Sequence, residues 1–195
     1  MARSDRRASW RFNQGTIAMT KAAAIASIGP VMQIAFVPDD FDAALRHWTQ
    51  VMGVGPFFLL ENITLEGMRY MGKPSDCRFT LALAYWGDVQ VELIRQENDS
   101  PSIYRDHGNG GSMHHVCILT DDIDAAKTTA LASGAKLLVE AKVGEDGGVF
   151  YVDSRGYPGG IVEVLQPATG SGAFFDMMRT AARDWDGRDP VRKLG

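Results

Sequence analysis

Two stretches of this chain carry the same order of apolar and polar positions. Residues 33–44 read QIAFVPDDFDAA and residues 115–126 read HVCILTDDIDAA, an offset of 82 residues. Asp39, Asp40, Asp42, Ala43 and Ala44 thus return as Asp121, Asp122, Asp124, Ala125 and Ala126. A second pair, VQVELIRQ at 89–96 and GIVEVLQP at 160–167, sets Glu92 opposite Glu163 at an offset of 71 residues. The first copy therefore holds about eleven extra residues between its anchors, and EGMRYMGKPSD is the place for them. Two copies are too few for a solenoid, so one supersecondary unit is duplicated.

Each copy predicts the same elements. An apolar strand (31–37; 114–119) runs into Asp-Asp, whose side chains suit the N-cap of a following helix. In the first helix Phe41, Ala44, Leu45, Trp48 and Met52 recur at spacings of three or four, which predicts one buried stripe. Val54-Gly55-Pro56 and Ser133-Gly134 end the helices. Three strands follow in each copy, about 57–63, 77–86 and 88–95, then about 136–142, 148–153 and 160–166, with Gly87-Asp88 as a hairpin turn. The pattern is an α+β fold of two tandem βαβββ modules, spanning 30–96 and 112–167. Residues 171–186 predict an amphipathic helix whose Phe174, Phe175, Met177, Met178, Ala181, Ala182 and Trp185 pack on the domain or on a partner subunit.

Composition narrows the partners. A net charge of −4 leaves no general basic surface for phosphate backbones, so no nucleic-acid partner is expected. No segment approaches the ~20 apolar residues of a membrane span, so no membrane partner is expected either. Cys77 and Cys117 each lie inside an apolar run and read as buried thiols, which fits a reducing cytoplasm. Residues 1–29 read as an N-terminal extension, because Lys21 interrupts the apolar region a secretory signal needs; Met19 is a possible start.

Strand periodicity turns the repeat into chemistry. Glu92 points away from Val91 and Leu93, and Glu163 away from Val162 and Val164, so two carboxylates at matched positions converge on one cavity. Gln33 and His115 hold the matched first-strand positions. Carboxylates facing inward need compensating charge, and no basic residue recurs at the matched positions. Two carboxylates, an imidazole and an amide oxygen suit one divalent ion held by Gln33, Glu92, His115 and Glu163. With no thiolate in the set, a five- or six-coordinate Zn, Ni, Co, Mn, Fe or Mg ion is expected rather than a closed structural zinc. Alternation sends His114 to the opposite face, as a structural residue. His47 and His107 have no matched partner and read as surface or packing residues.

The segments QIAFVPDDFDAALRHW, VELI, GGSMHHVCILTDDIDAA and GGIVEVLQP resemble the vicinal oxygen chelate superfamily, which includes glyoxalase I, methylmalonyl-CoA epimerase, extradiol dioxygenases and bleomycin-resistance proteins. The resemblance covers residues 30–167 and implies a half-open β-barrel cup. GGSMHHV before an Asp-Asp helix start is most similar to the epimerases, whereas Gln33 stands where epimerases commonly have His and glyoxalase I of the Gln/Glu/His/Glu type has Gln.

The resemblance implies proton transfer next to a carbonyl, with a metal-dependent isomerase, epimerase or lyase acting on a small carbonyl or acyl substrate. Glu163 takes the role of base, and Glu66, in the first module's insertion, that of a second proton carrier. Phe57, Phe58, Tyr70, Tyr85 and Trp86 hint at an apolar or aromatic acyl group. No nucleotide motif is present. The alternatives are a metal-free small-molecule binder of the bleomycin-resistance type and an extradiol dioxygenase; for the latter only His115 of the required two histidines stands at a ligand position. A homodimer is expected, with the C-terminal stripe offering apolar surface.

Overall fold

The computed structural model describes residues 24–108, 110–154 and 160–194. The expectations for residues 1–23, Met19 among them, lie outside the described residues. In chain order, β1 (Val31–Phe36) leads to α1 (Phe41–Arg46), then β2 (Phe57–Ile63), the short β3 (Arg69–Tyr70) and β4 (Lys73–Pro74), β5 (Phe79–Trp86) and β6 (Val89–Gln96). A one-turn helix α2 (Ile103–Asp106) links to β7 (Met113–Leu119), α3 (Ile123–Ala132), β8 (Lys136–Val143), β9 (Gly147–Asp153) and β10 (Ile161–Gln166). Helix α4 (Ser171–Arg183) and a last strand β11 (Val191–Lys193) follow.

The strands build one curled, unclosed sheet in the order β11-β2-β5-β6-β1-β7-β10-β9-β8-β3-β4. The first and last long strands of each module lie side by side and parallel. Ala35 faces Glu92 across β1 and β6, and Cys117 faces Glu163 across β7 and β10. The modules join through antiparallel β1 and β7, where Gln33 faces Cys117 and Ala35 faces His115. Exchanging the modules by the 82-residue offset reproduces that register, so the repeat in the sequence is a local pseudo-twofold in the sheet.

The convex face is covered by the two matched helices. Phe41 and Leu45 of α1 bury against Phe57, Leu59, Val91 and Leu93; Ala126 and Ala130 of α3 bury against Phe150, Val152 and Val164. Both helices start as the Asp-Asp pairs predict: Asp40 accepts from the Ala43 N–H at 2.8 Å and Asp122 from the Ala125 N–H at 2.9 Å. Asp122→Ala is expected to cost about 1 kcal/mol, a fall of roughly 2–4 °C in the melting midpoint, read by circular dichroism.

Two expectations about the helices need correction. Met52 is exposed rather than part of the buried stripe, because the helix continues past α1 as a π turn (His47–Val51). The Met52 N–H reaches back five residues to the His47 carbonyl, and the wider turn rotates the stripe so that Val54 is buried instead. The extra segment of module one forms β3 and β4 and reaches module two, where Arg69 pairs with Glu140 on β8. The C-terminal helix stops at Arg183, short of the expected 186, and the chain beyond it joins the sheet, with β11 parallel to β2 and Trp185 seated so closely over Gly55 that a Cβ there would lie 2.7 Å from the indole.

Helix α4 packs on the concave side of module one. Met178 is buried against Phe58, Leu83 and Tyr85, with Phe174 and Phe175 beside it. The apolar stripe therefore covers this domain. Among the described residues no helix is long and apolar enough to cross a membrane.

Candidate functional site

The pleat of the four central strands aims one set of side chains into the cup. Glu92 on β6, His115 on β7 and Glu163 on β10 are all buried, and each offers a ligand atom within 4.8 Å of the others. His115 Nε2 lies 2.9 Å from Glu163 Oε2 and 3.5 Å from Glu92 Oε2. Three of the four residues read from the repeat thus meet at one point.

Gln33 lines the same cavity from β1. Its Nε2 donates to Gln90 Oε1 at 2.7 Å, and the buried Gln33 Oε1 has no partner among the described residues. A buried amide oxygen without a protein partner, in a cavity that two carboxylates also line, fits a cation site with an oxygen-rich donor set. Divalent metal is therefore compatible with the residues present, Gln33, Glu92, His115 and Glu163 being those that would hold it. Gln90, two residues before Glu92 on the same face, was invisible to the repeat argument because its matched position holds Ile161.

Electrostatics within the cluster are one-sided. Burial disfavours the charged form of His115, yet its hydrogen bonds to Glu163 and Glu92 and their charges prevail and raise it to about 9. Burial is also the main reason the Glu92 carboxyl is raised, helped by the charge of Glu163 and opposed by the hydrogen bond from His115. A protonated imidazole thus supplies part of the positive charge the two carboxylates need in the protein alone. Cys117, two residues along from His115, is raised well above an ordinary thiol by burial and by the nearby carboxylates, so it stays a neutral thiol, and both cysteines are free and buried.

His114 does not point to the far face. Ala35 pairs with His115 and Phe36 pairs with Met113, so β7 takes two steps where β1 takes one, and His114 is the extra residue of a bulge. Its ring is buried, with Nδ1 2.9 Å from His115 Nδ1 and Nε2 3.2 Å from the Ile103 carbonyl. Burial, and then the charge on His115, lower His114 to about 3, so it is neutral.

Glu66 does not join the cluster. Its carboxylate is exposed and paired with Lys142 at 2.7 Å, a partner that holds it below its usual range. The five aromatics singled out from sequence also lie elsewhere: Phe57 is under α1, Phe58 and Tyr85 are under α4, Tyr70 donates to Asp106 at 2.8 Å, and Trp86 is an exposed neighbour of Trp48. The rings that do line the cavity are Phe79, Tyr104, Tyr151 and Phe175. Tyr151 packs edge-on to His115 with ring centroids 5.2 Å apart. Two of the four, Tyr104 on α2 and Phe175 on α4, come from segments outside the repeat, so periodicity carried no signal for them.

The cavity above the cluster holds about 250 Å³ and is bounded mainly by leucine, valine and aromatic side chains. Among the described residues no lysine or arginine lines it. Its polar groups are Gln33, Gln90, Glu92 and Glu163, together with the hydroxyls of Tyr104 and Tyr151, which lie 3.4 Å from each other.

The sequence profile of the glyoxalase/bleomycin resistance protein/dioxygenase superfamily matches residues 32–152. A search of curated proteins finds no match. Among solved structures, methylmalonyl-CoA epimerase from Mycobacterium tuberculosis is similar at a TM-score of 0.51 and 16% identity, covering 73% of this chain and 91% of that one. A hypothetical protein from Bacillus halodurans C-125 is similar at a TM-score of 0.50 and 15% identity, covering 71% of this chain and 94% of that one. At these identities the likeness is one of fold.

Proposed function

We propose, from the premise that this chain belongs to the glyoxalase/bleomycin resistance protein/dioxygenase superfamily, that it is a metal-dependent isomerase, epimerase or lyase that moves a proton on the carbon next to a carbonyl. The observation that carries this reading is the buried convergence of Glu92, His115 and Glu163 at an apolar cavity that Gln33 also lines, its amide oxygen having no partner among the described residues.

When bound, a divalent cation there would act as a Lewis acid toward a substrate oxygen and stabilise the negative charge that builds up when the neighbouring proton leaves. The chain's own residues do the rest. Glu163 is the base, since a carboxylate on the cup floor reaches a substrate lying in the cavity above it. Leucine and valine walls exclude water, which strengthens every charge interaction on the floor. Glu92 and Glu163 together balance a doubly charged ion while His115 and Gln33 are neutral, so the loaded floor favours an uncharged substrate. At about 30 Å³ per small group, a cavity of about 250 Å³ takes a short carbonyl or acyl portion. Glu66 takes no part, being held at the surface by Lys142.

An apolar cavity alone would also suit a metal-free binding protein. Such a protein has no need of two carboxylates under its ligand, which cost free energy to bury unless they are compensated.

The test is cation uptake by chelator-treated protein. One equivalent of cobalt, nickel, zinc, manganese, iron or magnesium is expected per chain, and at about 1,000 times Kd it stabilises by about 4 kcal/mol. NMR in heavy water with small 2-oxo compounds and acyl thioesters should then report loss of the proton next to the carbonyl. Protein that takes up none of these ions defeats the reading.

A further inference from the structure

We propose that His114 is a positioning residue that fixes the tautomer of His115, so that the lone pair on His115 Nε2 is turned toward a divalent cation. The inference rests on the reading of Glu92, His115 and Glu163 as a cation site, and extends it to a residue outside the ligand set.

One hydrogen-bonded line, from the Ile103 carbonyl through His114 to His115, sets the tautomer. The Ile103 carbonyl oxygen can only accept, so His114 Nε2, 3.2 Å away, must carry a hydrogen and donate it. A neutral imidazole has one N–H, which leaves His114 Nδ1 as a bare acceptor. His115 Nδ1 lies 2.9 Å from it and is therefore the donor. With its hydrogen on Nδ1, a neutral His115 has a lone pair on Nε2, and Nε2 is the atom that faces Glu163 and Glu92. The opposite arrangement puts a second proton on His114, whose neighbours include the Ile103 carbonyl, the Tyr104 ring, His107 and His115. Both carboxylates of the cluster contact His115 instead, so any extra proton resides there.

Local structure is built to hold this line. The bulge in β7 brings two consecutive histidines to one side of the strand, which regular alternation forbids. Ser102, itself buried, caps α2 by accepting from the Tyr104 and Arg105 N–H groups, and so fixes the turn that presents the Ile103 carbonyl. A hydrogen-bond acceptor on the far nitrogen of a ligating imidazole sets its orientation and raises its basicity, and losing one typically costs 10–100-fold in metal affinity.

Two variants and one spectrum test the idea. His114→Phe keeps a buried ring and removes both hydrogen bonds; His114→Gln offers an amide oxygen to His115 Nδ1 and an amide N–H to Ile103. Cobalt affinity, measured by competition against a chelator on the full chain, is expected to fall about 10–100-fold in His114→Phe and to return to within a few-fold of the parent in His114→Gln. Thermal unfolding of each variant identifies any loss of fold. Long-range proton–nitrogen correlation of the imidazoles in metal-free parent protein should show His114 as the Nε2–H tautomer and a hydrogen on Nδ1 of His115. A His114 protonated on Nδ1, or a folded His114→Phe that binds cobalt like the parent, overturns the proposal. If the parent binds no cation at all, the reading under Proposed function fails while the tautomer spectrum still decides this one.

Discussion

Glu163→Gln is expected to slow removal of the proton next to a substrate carbonyl by about 10³-fold, within the range a positioned general base contributes. The amide matches the carboxylate in shape and keeps an oxygen in place, so the sheet, the cavity and the remaining ligands stay as they are. What it loses is a proton acceptor and one negative charge. The lost charge also weakens cation binding, which would lower the observed rate for a different reason. The two causes separate at saturation. If Glu163 serves only to hold the ion, raising cobalt until the variant is fully loaded restores the rate. If it is the base, the fully loaded variant stays slow. The measurement is deuterium wash-in by NMR at increasing cobalt, with occupancy followed in the same samples by the cobalt absorption bands; recovery to the parent rate at full occupancy would sink the assignment. Glu92, its pseudo-twofold counterpart, is the matched control for loss of a ligand.

How much of this site the sequence disclosed follows from where each residue lies in the repeat. Gln33, Glu92, His115 and Glu163 stand at matched positions of paired strands, and the period of two within each strand turns Glu92, His115 and Glu163 toward one point and Gln33 into the same cavity. The strand and helix boundaries were legible for the same reason: apolar runs of strand length, Asp-Asp caps, and Gly87 at the β5–β6 turn. His114 failed because a bulge is set by how β7 pairs with β1, and nothing in MHHVCIL marks where the extra residue sits. Met52 failed because the helix widens into a π turn that its own residue types do not announce. Tyr104 and Phe175 reach the cavity from the linker and from α4, and only tertiary packing brings those segments over the cup. From sequence the two inward carboxylates need compensating charge, which a divalent ion would supply. His115 relaxes that requirement, since it is raised to about 9 and brings a positive charge of its own.

That proton gives the second large effect, which is on pH. In metal-free protein His115 titrates near 9, against an ordinary value of about 6.5. The folded state holds the proton more tightly than the unfolded chain, so the stabilisation is complete below about pH 6.5 and is lost as pH rises through about 9. A rise of this size is worth about 3 kcal/mol. For a chain of this length that is roughly 6–12 °C in the melting midpoint between pH 6.5 and 9. Glu92, also raised, acts in the same direction but from the lower pH at which carboxylates ordinarily ionise. A cation must displace the His115 proton to bind Nε2, so apparent cation affinity should climb about tenfold per pH unit over that window and level off above it. Loaded protein has already given up the proton, so its melting midpoint should lose this dependence and the two stability curves should diverge as pH rises. Differential scanning fluorimetry with and without cobalt, paired with calorimetric titrations in buffers of different ionisation enthalpy to count released protons, reads both. A metal-free midpoint that stays flat from pH 6.5 to 9, with no proton released on loading, would mean that His115 is not held charged by Glu92 and Glu163, and the cation would have to bind without it.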